Sequence, residues 1–451
     1  MLFSSLSFLV WFLPAVVLVH LVLPARARNA MLLAASVFFY AWGEMAYVPL
    51  VLASMAINYA LGLGCSASRA WLRHASLALS LLVNFGALAY FKYAAFFLET
   101  VGLGAWAPEV SLPLGISFYT FQTQAYVVDV WRKKVPAEKN PVDYGAFILL
   151  FPQLIAGPIV LYTDVRRELK ARSLDARALE TGMALFIAGL AAKVLLANPL
   201  GALWERMRAL EALSMPGAWL GVAGFGLQIY FDFAGYSLMA IGMGRMLGFR
   251  FPQNFDHPYA ARSVREFWRR WHMTLSGWFR DYVYIPLGGS RRGTARTVWN
   301  LLLVWTLTGL WHGASWNFVL WGLWFFVFLV LERFALGGWL ARHRAVGLAY
   351  TLVVVFLGWV LFAFESVADA AAYGARLFCF AGGTDWRYPL RDSAVLLLMA
   401  VLACMPPVAK RAWALLEAHA VLRAAVLALV LALCVAALVN AEYNPFLYFR
   451  F

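Results

Sequence analysis

Apolar runs of roughly 20 residues recur along the whole chain, and each is long enough to carry a helix across hydrocarbon about 30 Å thick. A bilayer offers no partner to backbone N–H and C=O groups, so a chain committed to it crosses as helices or as a closed barrel. A barrel needs short segments of alternating apolar and polar residues, and the sequence has none. Composition points the same way: 63% of residues are hydrophobic and 13% charged, against about 45–50% and about 25% in soluble domains. The expected fold is an all-α polytopic membrane protein of about 11–12 transmembrane helices plus re-entrant segments. No soluble domain interrupts the runs, so a single integral membrane domain is expected over 1–451, with its motif-bearing core at about 111–335.

The formal net charge of +14 does not imply a nucleic-acid partner. Lys and Arg cluster between apolar runs, as the positive-inside rule requires of cytoplasmic loops, so the expected partner is the lipid bilayer. The first apolar run has no basic residues before it and Arg26 and Arg28 after it, which predicts an uncleaved first helix with its N-terminus outside. Cys65, Cys379, Cys404 and Cys434 show no paired spacing; they read as packing residues, with neither a disulfide framework nor a metal site.

Several stretches are too polar or too broken to face lipid. Ser111 to Lys134 is apolar but carries Ser117, Tyr119, Thr120, Gln122, Gln124 and Asp129, which should face the protein interior. Asp143 to Val160 is interrupted by Pro152, Gly157 and Pro158 and has basic clusters on both sides, the pattern of a re-entrant segment. The glycine-rich run from Ala218 to Leu247 contains Gln228, Asp232 and Tyr236. Eight arginines fall between Arg262 and Arg296, and two brief apolar runs, Val298–Leu310 and Phe318–Leu331, flank the polar WHGASWN.

Chemistry concentrates between Gln228 and Trp316. His272 lies in the basic, aromatic WRRWH, and His312 ends an apolar run. Polar groups at that depth are costly and therefore candidates for function. Imidazole, with an ordinary pKa near 6.5, suits proton transfer at neutral pH. Trp311 on one side of His312 and Gly313 on the other would let a substrate approach the ring. On a helix, Arg265, Trp268, Arg269 and His272 would be neighbours at three- and four-residue spacing. Arg269 and Arg270 could then bind phosphates of an acyl carrier, or equally meet lipid head groups. Spacing alone also leaves open that His312 only satisfies a helix end. No GxSxG turn, HExxH or Walker signature is present, so serine-nucleophile, metal-dependent and nucleotide-hydrolysing classes are disfavoured. A non-enzymatic transporter using the histidines as a proton relay remains a rival, against which stands the absence of an internal repeat.

A set of motifs closely resembles the membrane-bound O-acyltransferase (MBOAT) family, in its bacterial alginate O-acetylase branch. They are PLGISFYTFQ at 113–122, FPQLIAGPI at 151–159, QIYFDFAGYS at 228–237, FRFPQNFDHPY at 249–259, EFWRRWHMTLSGWFRDYVYIPLGG at 266–289, GLWHGASW at 309–316 and the terminal NPFLYFRF. The resemblance implies a ring of helices around a thinned core with a tunnel. It implies that His312 is the catalytic histidine and His272 the second characteristic position, with Gln228, Asp232, Tyr236, Arg269, Arg270 and Trp311 as candidate substrate contacts and no metal. It further implies acetyl-CoA or another acyl thioester as donor with no bound cofactor, a periplasmic or membrane-anchored acetyltransferase partner, and a place in the bacterial inner membrane. The acceptor would be an exopolysaccharide such as alginate; D-alanyl or other acyl transfer to a different envelope polymer is the nearer alternative. Leu238 stands where the branch usually has Asp, and Phe325 where it often has His, departures that bear on the acceptor.

Overall fold

A computed structural model describes residues 2–380 and 382–440; the terminal NPFLYFRF lies outside the described residues. Among those residues there are helices and connecting turns but no strands. Among the described residues, six helical segments are long and apolar enough to cross a membrane: Ala25–Cys65, Ala70–Thr100, Ala176–Arg208, Trp316–Arg342, Arg344–Ala363 and Ala420–Val439. Ala394–Cys404 and Pro406–Ala418, bent by 85° at their junction, make a seventh if taken together. The chain is thus a multi-pass α-helical membrane protein. The other apolar runs of the sequence form shorter, broken or more polar helices, so they fall outside that set.

The chain divides into two compact units, one of residues 1–186 and 236–253 and the other of residues 187–235 and 254–451. In the first, the Val48–Cys65, Ala70–Leu88 and Ile116–Trp131 helices pack through buried polar side chains. The Asn58 and Asn84 amides exchange hydrogen bonds of 3.0 and 2.7 Å, Ser80 donates to Asn58, and Gln124 donates to Ser80. Between apolar helices in lipid, where no hydrophobic drive separates helix from tail, such bonds help to choose the partner. The six polar residues named from Ser117 to Asp129 are all buried. The Asp143–Val160 stretch is broken too: the Pro141–Leu149 helix ends at Leu150, a four-residue helix follows, and non-helical chain continues to Val160, with residues 143–160 all buried.

The second unit is organised by aromatic packing. The Thr294–His312 and Trp316–Leu331 helices form a tight hairpin. Glycine lets them close: a Cβ on Gly309 would strike the Phe318 carbonyl, and one on Gly322 the Trp305 carbonyl. Around this hairpin Trp268, Trp305, Trp321, Phe325, Trp359 and Phe362 are packed ring against ring.

Candidate active site

His312 is the last residue of the Thr294–His312 helix, and Gly313, in extended conformation, ends it. The imidazole is 5% exposed. It packs edgewise on Trp311, Trp321 and Phe362, with ring centroids at 5.1, 4.9 and 5.3 Å. A planar ring surrounded by other rings on a helix end has few rotamers left, so its position is set by packing.

His272 is positioned differently. The Val264–Arg270 helix stops before it, Trp271 is extended, and His272 itself has φ 43° and precedes the Met273–Phe279 helix. The single helix expected through Arg265, Trp268, Arg269 and His272 is therefore replaced by two short ones with a break at Trp271–His272. The cause lies in hydrogen bonding. A non-glycine residue in the left-handed region costs energy unless its surroundings enforce it, and here Asn254 does so. Its backbone carbonyl accepts from Met273 N–H at 2.9 Å, and its side-chain oxygen accepts from Thr274 Oγ1 at 2.8 Å and Thr274 N–H at 3.3 Å. Asn254 thus caps the second helix from 18 residues upstream, a service His272 does not provide with its own side chain. The first helix is capped by Ser263 Oγ, which accepts from Glu266 N–H, and by the buried Glu332 carboxylate, which accepts from the N–H groups of Val264 and Arg265.

The same Asn254 oxygen lies 3.1 Å from His272 Nδ1. Because that oxygen already accepts from a backbone N–H, the nitrogen facing it must carry the proton. Nδ1 donates, and Nε2 holds the lone pair. Nε2 is buried and has no hydrogen-bond partner among the described residues. Phe233 stands edge-on to the ring at 4.7 Å and Trp311 at 5.9 Å. Burial depresses the His272 pKa to about 3, so the ring is neutral throughout the physiological range.

Both histidines line one cavity of about 520 Å³ in the second unit, within the range that holds a small-molecule substrate. Arg265, Arg269 and Arg280 line it too, as do Trp268, Ser276 and Thr308. Trp311 is not in its lining, yet its ring touches both imidazoles. Arg270 does not line it: its guanidinium pairs with Glu266 at 2.6 Å.

Three candidates from the glycine-rich run lie elsewhere. Asp232 is paired with Lys193 at 2.7 Å, the two side chains 3% and 2% exposed, and Lys193 also donates to Asn198 at 2.8 Å. Lys193 sits in a π-helical turn, Ala192–Ala197, and the neighbouring Gly235 allows close approach, since a Cβ there would meet the backbone of Gly189 and Lys193. Gln228 packs on Gly201. Tyr236 belongs to the first unit, where its ring stacks on Phe3 at 4.3 Å. Sequence reasoning did not single out Asn254, Phe233 or Lys193. Asn254 lies in the FRFPQNFDHPY motif, but nothing in its spacing tells that it will reach His272.

The model of the family described as MBOAT, membrane-bound O-acyltransferase, matches residues 37–367. A probable alginate O-acetylase of Azotobacter vinelandii is 40% identical over 397 residues, covering 86% of this chain and 79% of that protein. A peptidoglycan O-acetyltransferase of Helicobacter pylori is 34% identical over 418 residues, 82% of this chain and 78% of the relative. A teichoic acid D-alanyltransferase of Bacillus subtilis is 30% identical over 233 residues, 49% of this chain and 59% of the relative.

Proposed function

Since the chain belongs to the membrane-bound O-acyltransferase family and is an acyltransferase, we propose that it moves an acetyl group from a cytoplasmic thioester across the membrane to a hydroxyl for O-acetylation of an exopolysaccharide. The observation that carries this reading is the convergence of His272 and His312 on one cavity that also presents arginines. His312 acts as general base. It takes the proton of an acceptor hydroxyl as that oxygen attacks the thioester carbonyl; the new C–O bond forms, the C–S bond breaks, and the thiolate leaves with the proton that His312 held, which restores the base. The cavity arginines hold the anionic groups of the donor, acetyl-CoA or another acyl thioester.

The geometry narrows the part His272 plays. With its proton on Nδ1 and its pKa near 3, it is a poor proton donor to a leaving thiolate and a good hydrogen-bond acceptor at Nε2. It orients a substrate N–H or O–H against His312. In keeping with the relatives that act on envelope polymers, the protein resides in the bacterial inner membrane. The acetyl group passes to the polysaccharide through a periplasmic or membrane-anchored partner acetyltransferase.

The decisive experiment compares the acetyl ester content of secreted polysaccharide in deletion cells complemented with wild type or with His312→Ala. Restoration by wild type alone is expected. Equal restoration by both, at matched membrane levels, would remove His312 from the chemistry. Unchanged acetyl content without the gene would turn the search to other acyl groups, D-alanyl first, given the teichoic acid relative.

A further inference from the structure

A second cavity, of about 220 Å³, lies in the first unit and shares no residue with the histidine cavity. It is lined by the end of the Tyr162–Lys170 helix, the connection that follows, and the turn after Met246. Four arginines line it, Arg167, Arg172, Arg245 and Arg250, against the two carboxylates of Glu168 and Asp175. One of those carboxylates is already engaged, Asp175 accepting from Ala178 N–H at 2.6 Å. With four guanidinium groups against two carboxylates, the lining carries a net positive charge.

Basic clusters are ordinary on the cytoplasmic side of a membrane protein, and charge alone would mean little. Arg172 distinguishes this one. Its Nη1 is committed, donating to Asn29 Oδ1 at 2.6 Å and to the Glu168 carbonyl at 3.2 Å. Its plane lies over the Phe249 ring at 4.6 Å. Its other two nitrogens, Nε and Nη2, are buried and have no hydrogen-bond partner among the described residues. Those two N–H groups form the side-on edge of a guanidinium, the edge that grips two oxygens of a carboxylate or phosphate at once. Leaving buried donors of a cation unpaired is costly, and here burial and the like charge of Arg28 already depress the Arg172 pKa to about 10. Gly248, with φ 84°, keeps the wall next to this side chain thin: a Cβ there would come within 3.1 Å of Arg172 Cδ.

We propose that this pocket binds a phosphate group, held by the guanidinium groups of Arg167, Arg172, Arg245 and Arg250. A carboxylate presents two oxygens, in one plane, to four guanidinium groups. A phosphate has oxygens for several of them. The volume suits a phosphate and a short ester stub, being several times the roughly 30 Å³ that one water occupies in the liquid. That phosphate can be the phosphodiester of an anionic lipid or a soluble phosphate. The inference is independent of the acyl-transfer reading, because binding is measured without turnover.

The test uses the full chain purified in detergent, as wild type, Arg172→Gln, Arg250→Gln and, as a charge-matched control remote in sequence, Arg333→Gln. Arg250 is exposed, so its variant should fold even if the Arg172 variant does not. In one arm, native mass spectrometry counts phosphatidylglycerol against phosphatidylcholine retained after exchange from mixed vesicles. In the other, inorganic phosphate is titrated against thermal unfolding. Losing one charged contact should weaken binding about tenfold in either pocket variant, with Arg333→Gln matching wild type. Selective loss in the lipid arm identifies a lipid phosphodiester; selective loss in the phosphate arm identifies a soluble phosphate. Equal binding by wild type and both pocket variants in both arms, or an equal loss in Arg333→Gln, would overturn the proposal.

Discussion

The two histidines reach one cavity by opposite means. His312 ends a long apolar helix and is wedged among Trp311, Trp321 and Phe362. His272 sits in a left-handed turn between two seven-residue helices and is aimed by one hydrogen bond to Asn254. Rings fix where an imidazole lies. A carbonyl-type oxygen fixes the tautomer as well. An enzyme needing one histidine to move a proton and another to hold a substrate would want this division.

The comparison is broken most severely at His312. His312→Ala should lower acetyl transfer by about 10²- to 10⁴-fold, the usual contribution of a general base, while membrane abundance stays normal; acetyl ester assays with matched immunoblots check it. A loss below tenfold would make the aromatic cage a packing device.

Next comes the support behind His272. Phe233, edge-on to that ring, follows Asp232, which is locked to Lys193. Asp232→Asn leaves a buried ammonium without its counter-charge and should cost about 3–5 kcal/mol. Replacing both partners, as Lys193→Met with Asp232→Leu, should recover most of that loss. Thermal unfolding of the purified variants measures both, and a double variant no more stable than Asp232→Asn would refute the argument.

The tautomer is tested by Asn254→Asp. A carboxylate against Nδ1 raises the His272 pKa from about 3 toward and past its ordinary value. In wild type the folded chain leaves His272 unprotonated below pH 6.5 while the unfolded chain protonates it. Stability from this group is therefore present above about 6.5 and lost as pH falls toward 3. The variant should lose less stability over that window. It should also gain an acid limb in its pH–rate profile, because a protonated Nε2 cannot accept a hydrogen bond. A wild-type profile that already shows such a limb, and that His272→Gln abolishes, would sink the low pKa.

The smallest effect is expected from Thr274→Val, which removes one donor to the Asn254 oxygen and leaves the backbone cap. About 1 kcal/mol of stability and a few-fold loss of activity should follow, with the pH profile unchanged.

Much of this protein is written locally. Apolar runs and basic loops define a polytopic helical chain because each run must satisfy its own backbone in lipid, a constraint that acts residue by residue. Both histidines could be chosen because polar groups are rare in such runs, and the motifs around them carry the family. The broken 143–160 segment was legible from its prolines.

Tertiary structure decided the rest. Arg265, Trp268, Arg269 and His272 look from their spacing like one helical face. The break at Trp271 comes instead from Asn254, whose reach across the chain no local propensity encodes. Asp232, buried in a glycine-rich run, has the profile of a substrate contact in sequence and a lysine's company in space, since opposite charges in a low-dielectric interior find each other wherever the fold brings them close. Arg172 differs from the other arginines of its cluster only once its Nη1 is tied to Asn29. Sequence fixes which groups must be accounted for; the packed chain alone says which of them have partners.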